Sequence, residues 1–148
     1  MIKIIDGNLF DTKAKVIAHQ VNMQKRMGSG VAKQVRERFP DVYENYKSYD
    51  GFLGEVTLAI PEDGSDDPII ANLYAQDKYG YDGKQYTDME ALRHCFIQLN
   101  NYAKENNYTV AMPHGIGSVR GGAKWSEVKK LIEEIFVDVN VELWRIKK

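Results

Sequence analysis

Short runs of apolar and β-branched residues alternate along this chain with longer segments of helical periodicity. Several short runs are apolar at every position, which is typical of strands covered by helices on both faces of a sheet. They predict strands at Ile2–Ile5, Lys15–Val21, Glu55–Ile60, Ile69–Tyr74, Thr109–Met112 and Val141–Ile146. The acidic, proline-flanked segment from Pro61 to Pro68 lies between two of these runs and predicts a hairpin loop.

The helical segments have apolar stripes of different strength. The last stripe recurs at the spacing of one helix face, through Val128, Leu131, Ile132, Ile135 and Phe136. A second helix is expected after Thr87, whose hydroxyl would cap it while Glu90 reaches back, as in a capping box. Its stripe consists of Met89, Leu92, Phe96, Leu99 and Ala103. A third helix is expected from Gly30 to Pro40, and a short one over Val42–Tyr49. Strands alternating with helices predict a layered α/β sandwich with a mixed central sheet.

Composition limits the function classes. The chain has 148 residues, 43% hydrophobic and 28% charged, which suits one globular domain over residues 1–148. The net charge of -1 argues against a dedicated nucleic-acid surface. The single cysteine, Cys95, lies in an apolar helical stripe and is expected in the core. Without an apolar run near 18 residues or a signal-peptide pattern, we expect no membrane partner and a cytoplasmic location. No spacing of ligand side chains predicts a metal, and no cofactor is expected.

Two glycine-bearing loops follow predicted strands and precede predicted helices. In the first, Gly28-Ser29-Gly30 opens a helix, where unpaired N–H groups at the positive end of the helix dipole suit an anion. The second runs from Pro113 to Gly122 and contains four glycines within eight residues. Its backbone amides can form a nest for a second phosphate, and His114 lies at its start. Neither loop has a Walker or dinucleotide-fold spacing, so the pair predicts a diphosphate ligand of another class.

At these positions the chain resembles the macrodomain family. Ile5-Asp6-Gly7-Asn8-Leu9 is similar to the family's opening Gly-Asp-Ile segment, and Ile17–Asn22 to its Val-Asn-Ala-Ala-Asn run. Gly28–Ala32 is similar to the Gly-Gly-Gly-Val-Ala loop, and Ile116–Gly121 lies at the place of the second phosphate loop. With His19, the Arg-Met-Gly-x-Gly run and Trp125, the chain most resembles the branch containing the terminal ADP-ribose protein glycohydrolase and the ADP-ribose 1″-phosphate phosphatases.

The resemblance implies a three-layer α/β/α sandwich and a ligand-binding cleft. His19 and Asn22 are implied at the distal ribose as the catalytic pair, and His19 at its ordinary pKa could act as general acid or base. Asn8 replaces the family's acidic adenine-binding residue, and its carbonyl can accept the same hydrogen bond. The implied ligand contacts are Asp6, Asn8, Leu9, Gln20, Met27, Gly28, Ser29, Gly30, Val31, Gly115, Ile116, Gly117, Ser118, Val119, Arg120, Gly121 and Trp144.

Two positions depart from the glycohydrolase branch. That branch cleaves its substrate with a lysine after the central strand and an aspartate in the second loop, where this chain has Gln76 and Gly121. Glutamine cannot form a Schiff base and glycine cannot act as a base. Only after a register shift would Lys78 or Asp77 replace the missing groups.

Three functions remain open on the sequence. The leading one is an enzyme that hydrolyses ADP-ribose derivatives at the distal ribose, with ADP-ribose 1″-phosphate or acyl and ADP-ribosyl esters as substrates. The second is a non-catalytic reader or sequestering module for ADP-ribose, including ADP-ribosylated macromolecules. A third is a generic α/β protein whose loops bind another nucleotide or a nucleic-acid end.

Overall fold

The computed structural model describes residues 1–28, 30–78, 84–119 and 121–146. All six predicted strands are present within one residue or two of their expected bounds. They are β1 (Ile2–Asp6), β2 (Val16–Asn22), β3 (Val56–Ala59), β4 (Ile69–Gln76), β5 (Val110–Pro113) and β6 (Val141–Arg145).

The strands form a single mixed sheet in the order β1-β6-β5-β2-β4-β3. Only β3 runs antiparallel to its neighbour, β4, with which it forms the hairpin predicted from the acidic turn. The other five strands are mutually parallel. Their carboxyl ends therefore meet at one edge of the sheet, where open α/β sheets bind ligands.

Helices cover both faces of the sheet, which confirms the three-layer sandwich. They are α1 (Gly30–Arg38), α2 (Pro40–Ser48), α3 (Met89–Asn106) and α4 (Trp125–Ile135), together with a short 3-10 helix at Leu9–Asp11. None of the helices in the described ranges is long and apolar enough to cross a membrane.

The alternation of side chains along β2 separates two hydrophobic clusters. Val16 and Ala18 face the cluster that contains α3 and α4, including Cys95. Ile17 and Val21 face the smaller cluster under α1 and α2. The core is thus divided by the sheet, and the position of each polar residue along β2 decides which layer it meets.

The expected cap of α3 is wrong by one residue. Asp88, not Thr87, is the N-cap, and its carboxylate accepts a hydrogen bond from the Ala91 N–H at 3.0 Å. Thr87 is buried instead, and its hydroxyl donates to the Gly117 carbonyl at 2.7 Å. Local sequence allowed either residue to cap, and the tertiary contact of Thr87 decided between them.

The corrected cap predicts a stability difference between two acidic residues of the same helix turn. Asp88→Ala should lower the free energy of unfolding by about 1 kcal/mol, because an orphan N–H loses its acceptor. Glu90→Ala is the matched control and should cost less than half as much, since it loses only a favourable charge near the helix start. Urea denaturation of the two variants measures both values, and an equal loss would contradict Asp88 as the cap.

Candidate functional site

The loops that follow the parallel strands enclose one cavity of about 710 Å³. The cavity is lined by residues from the segment after β1, the loop after β2, the end of β4, the loop after β5 and the end of β6. This volume falls in the range of small-molecule sites, roughly 300–1,000 Å³. The fold therefore places a ligand-sized cavity at the carboxyl edge of the sheet.

Both glycine loops line this cavity. Gly28, Gly30 and Val31 bring the start of α1 to it, and Gly30 has a positive φ of 59°. From the second loop come Gly115 and Gly117, with φ values of 86° and 79°. Side chains are disfavoured at such angles, which explains why glycine recurs where the backbone faces the cavity.

The charge of the cavity wall suits an anion. Arg26 and Arg145 line it, and no aspartate or glutamate does so among the described residues. Arg145 is paired with the Asp6 carboxylate at 2.7 Å, so Arg26 contributes the larger share of the positive charge. The first turn of α1 also carries no acidic residue, so the positive end of its dipole is not neutralised there. Within the same described part of the chain, no group of three metal-ligating side chains occurs.

His114 opens the second loop and lies in the cavity wall, with its ring 4.8 Å from that of Trp125. The pKa of His114 is lowered mainly by partial burial and further by the positive charges of Arg145 and Lys129. The same positive charges that disfavour a protonated imidazole favour a bound anion.

His19 is buried in the middle of β2, not at its end. Its Nε2 lies 2.7 Å from the Asn72 carbonyl oxygen on the neighbouring strand β4, and Asn72 donates in turn to the Thr57 hydroxyl on β3. Burial lowers the pKa of His19 to about 4, against the opposite effect of the bond to Asn72. The imidazole is therefore neutral at pH 7, with Nε2 as the donor and Nδ1 as an acceptor.

Nδ1 of His19 is buried and has no hydrogen-bond partner among the described residues. The residue also lines the cavity, and this nitrogen is its remaining hydrogen-bonding atom. The expected role as a general acid at neutral pH requires a proton that an imidazole of this pKa does not hold. Its chemistry here is that of a hydrogen-bond acceptor and weak base.

Asn22 organises the loop between β2 and α1. Its amide donates to the Arg26 carbonyl at 2.9 Å, and its side-chain oxygen accepts from the N–H of Gln24 at 3.0 Å. The hydroxyl of Tyr46, on α2, donates to the Asn22 backbone carbonyl at 2.6 Å. Asn22 lines the cavity, but most of its hydrogen-bonding capacity holds the first glycine loop in place.

Asn8 and Trp144 form another part of the wall. The Asn8 carbonyl accepts from the Phe10 N–H at 2.9 Å, which fixes the orientation of its amide and leaves the NH₂ group as a donor. The indole N–H of Trp144 donates to Glu142 at 2.9 Å, and its ring packs on Gly7, where a Cβ would approach it to 3.1 Å. An aromatic face and an oriented amide together suit a heteroaromatic base.

Most of the residues assigned to ligand contacts meet at the cavity. Those that line it are Asn8, Leu9, His19, Gln20, Asn22, Gly28, Gly30, Val31, Gly115, Ile116, Gly117, Val119, Gly121 and Trp144. Asp6, Met27 and Ser118 do not: Asp6 accepts a 2.7 Å bond from Arg145, Met27 is buried in the smaller core cluster, and the Ser118 hydroxyl is buried. Ser29 and Arg120 lie outside the described residues.

Sequence reasoning missed part of the wall. The lining residues that it did not single out are Gly7, Phe10, Arg26, Ala32, Gln34, Pro113, Arg145 and Ile146. His114 and Gln76, which it did single out, also line the cavity. Arg26 directly precedes Met27, and Arg145 directly follows Trp144. A search for positively charged residues beside the assigned contacts would therefore have found both. Nothing local indicates that Gln34 reaches the cavity, since it lies one helix turn beyond the glycines.

No model of a known protein family matches the chain. The DNA ADP-ribosyl glycohydrolase of Thermus aquaticus is 24% identical to it over 149 residues, which is 97% of this chain but only 40% of that protein's length. The solved macrodomain of Thermus aquaticus DarG has a TM-score of 0.82 and 25% identity, covering 100% of this chain and 99% of its own. Thermosipho africanus DarTG, solved in complex with ADP-ribose, has a TM-score of 0.82 and 19% identity, covering 97% of this chain and 41% of its own.

The agreement with a solved macrodomain extends over the whole chain. The chain has the macrodomain fold. In this macrodomain, Gln76 is buried at the end of β4 and accepts a hydrogen bond from Gln20 at 2.9 Å. A Cβ on Gly121 would lie 1.8 Å from the Thr87 hydroxyl and 2.5 Å from the Gly117 carbonyl. A side chain cannot be accommodated at position 121 in this conformation, which explains the departure there physically.

The buried imidazole predicts a pH dependence of stability for the macrodomain. The unfolded chain binds a proton at His19 near pH 6.5, and the folded chain does so only near pH 4. Stability present above about pH 6.5 is therefore lost as the pH falls toward 4, by about 2 kcal/mol at about pH 5. Urea unfolding at about pH 7.5 and about pH 5 should show that this extra loss disappears in His19→Gln.

His94→Gln is the control, because His94 is exposed on α3. It should keep the full pH-dependent loss of the wild-type protein. An unchanged difference in His19→Gln would show that the His19 imidazole does not resist protonation in the folded state.

Proposed function

We propose that this macrodomain binds ADP-ribose in the cavity and hydrolyses ADP-ribose 1″-phosphate at the distal ribose. The observation that carries the proposal is the convergence of two glycine loops and Arg26 on one cavity that no described carboxylate lines. The names of the relatives support the ligand class, since one is a DNA ADP-ribosyl glycohydrolase and another was solved with ADP-ribose.

The diphosphate would lie between the start of α1 and the second loop. Backbone N–H groups at a helix N-terminus bind phosphate oxygens without a side chain, and Arg26 adds a nearby positive charge. A carboxylate in such a wall would repel both the diphosphate and a third phosphate on the distal ribose. Its absence from the described lining residues is therefore compatible with a phosphorylated substrate.

His19 would act as an acceptor at the reacting end. In the hydrolysis, one water attacks C1″ of the distal ribose, the bond from C1″ to the phosphate oxygen breaks with its electron pair on phosphate, and the water's proton leaves with the phosphate. The products are ADP-ribose and inorganic phosphate, so the attacking water needs orientation and an acceptor for its hydrogen bond. The unpartnered Nδ1 of the neutral imidazole can accept that hydrogen bond. Phosphate is a sufficiently good leaving group to depart without a protonated side chain, and positioning by the loops contributes the remainder.

A reader function is the second candidate, and one observation favours it. Thr87 occupies the space of a side chain at position 121, and Gln76 is tied to Gln20, so the lysine and aspartate of the glycohydrolase branch have no counterpart at these positions. A domain of this kind could bind ADP-ribosyl groups on protein or nucleic acid without cleaving them.

Calorimetry and a phosphate-release assay test the proposal. ADP-ribose should bind at least about tenfold more tightly than AMP, a difference of about 1.4 kcal/mol. The wild-type protein should release phosphate from ADP-ribose 1″-phosphate. His19→Gln should release it about 100-fold more slowly while binding ADP-ribose within about threefold of the wild-type affinity, because its amide can still bond to Asn72.

The outcomes separate the candidates. ADP-ribose binding without phosphate release or cleavage of any ADP-ribosyl substrate would establish the reader function. Release that is unaffected in His19→Gln would remove His19 from the chemistry. If AMP, NAD and ADP-ribose bind equally or not at all, the site serves another nucleotide and the proposal fails.

A further inference from the structure

Three side chains from distant parts of the chain form an uncharged network at the edge of the cavity. The Gln20 amide nitrogen donates to the Gln76 carbonyl at 2.9 Å and to the Thr87 hydroxyl at 2.8 Å. The Thr87 hydroxyl in turn donates a hydrogen bond to the Gly117 carbonyl at 2.7 Å. Gln20 and Gln76 line the cavity, while Thr87 lies behind them and is buried.

The network fixes the Gln20 amide in one orientation. An amide nitrogen has two hydrogens, and both are used by Gln76 and Thr87. Rotating the amide would place its oxygen against the Thr87 hydroxyl oxygen, whose hydrogen is already donated to the Gly117 carbonyl. The Gln20 carbonyl oxygen is therefore held as a pure acceptor.

That acceptor has no hydrogen-bond partner within the described residues, although it is buried. It lies beside the second loop, where a Cβ on Gly117 would approach it to 3.2 Å. Leaving a buried carbonyl unpaired is unfavourable, and a ligand that donates to it would recover that free energy. Phosphate oxygens cannot do so at neutral pH, whereas a hydroxyl can.

A second acceptor of the same kind lines the cavity one residue earlier in β2. The His19 Nδ1 is likewise buried without a partner. Anion-binding groups thus occur in the two glycine loops and the arginines, while β2 contributes two acceptors. This division matches a ligand that has both phosphates and sugar hydroxyls.

We infer that Gln20 is a specificity-determining residue that accepts a hydrogen bond from a hydroxyl of the distal ribose, and that Thr87 is its positioning residue. The inference rests on the proposed binding of ADP-ribose. Thr87 is itself held by the backbone, since its N–H donates to the Gly121 carbonyl at 2.9 Å. The missing side chain at Gly121 leaves the space that the Thr87 hydroxyl fills.

A ligand-truncation experiment tests this inference, because ADP lacks the distal ribose. Thr87→Val keeps the side-chain shape and removes the hydroxyl, so that the Gln20 amide is free to rotate. It should weaken ADP-ribose about tenfold and change the affinity for ADP less than about twofold. Thr87→Ser restores the hydroxyl and should bind ADP-ribose within about threefold of wild type.

Gln20→Met removes the acceptor itself and should also weaken ADP-ribose about tenfold. The double variant Gln20→Met/Thr87→Val should bind no worse than Gln20→Met alone, since Thr87 acts through Gln20. Thermal unfolding of each variant verifies that it is folded. If Thr87→Val does not fold, the two single variants Thr87→Ser and Gln20→Met still test the inference.

Three results would overturn the inference while leaving ADP-ribose binding intact. They are an equal loss for ADP and ADP-ribose in Thr87→Val, additive losses in the double variant, and failure of Thr87→Ser to restore affinity. Wild-type protein that binds neither ligand would instead reject the proposed function, and this inference with it.

Discussion

The contact between Thr87 and the second glycine loop joins the two halves of the site. The loop follows β5, whereas Thr87 lies between β4 and α3, and these segments meet through the Gly121 carbonyl, the Thr87 hydroxyl and the Gly117 carbonyl. Because Gly121 has no side chain, the two backbones can approach closely enough for these bonds. The Gln20 amide completes the junction from β2. This junction adds to the pairing of β2 with β5 and fixes the second glycine loop against the polar end of β2.

The parallel sheet determines which chemical groups line each part of the cavity. Helix and loop backbone contribute N–H donors at the carboxyl edge, and the arginines add positive charge. Strand β2 contributes acceptors, because burial keeps His19 neutral and the network keeps the Gln20 oxygen unpaired. The cavity therefore combines backbone donors at its edge with side-chain acceptors from β2, as the proposed ligand, which has both phosphates and hydroxyl groups, would require.

Sequence periodicity was sufficient to predict the layers of the fold, and glycine spacing was sufficient to predict the two loops, because both signals are local. The role of Thr87 was not predictable in the same way. Its position before Glu90 fits a capping box, and only the tertiary approach of Gly117 explains why Asp88 caps the helix instead. Met27 was assigned to ligand contact by its place in a motif, yet its side chain packs into the core. A motif fixes the backbone path of such a loop, while the direction of each side chain depends on the packing around it.

The two departures from the glycohydrolase pattern are parts of one arrangement. Glycine at 121 makes room for the Thr87 hydroxyl, that hydroxyl binds Gln20, and Gln20 binds Gln76. An aspartate at 121 would collide with Thr87, and a lysine at 76 would place an ammonium where the Gln20 amide now donates. Each neutral residue is therefore favoured by the presence of the others. This coupling explains physically how three uncharged side chains hold one another in place at this edge of the cavity.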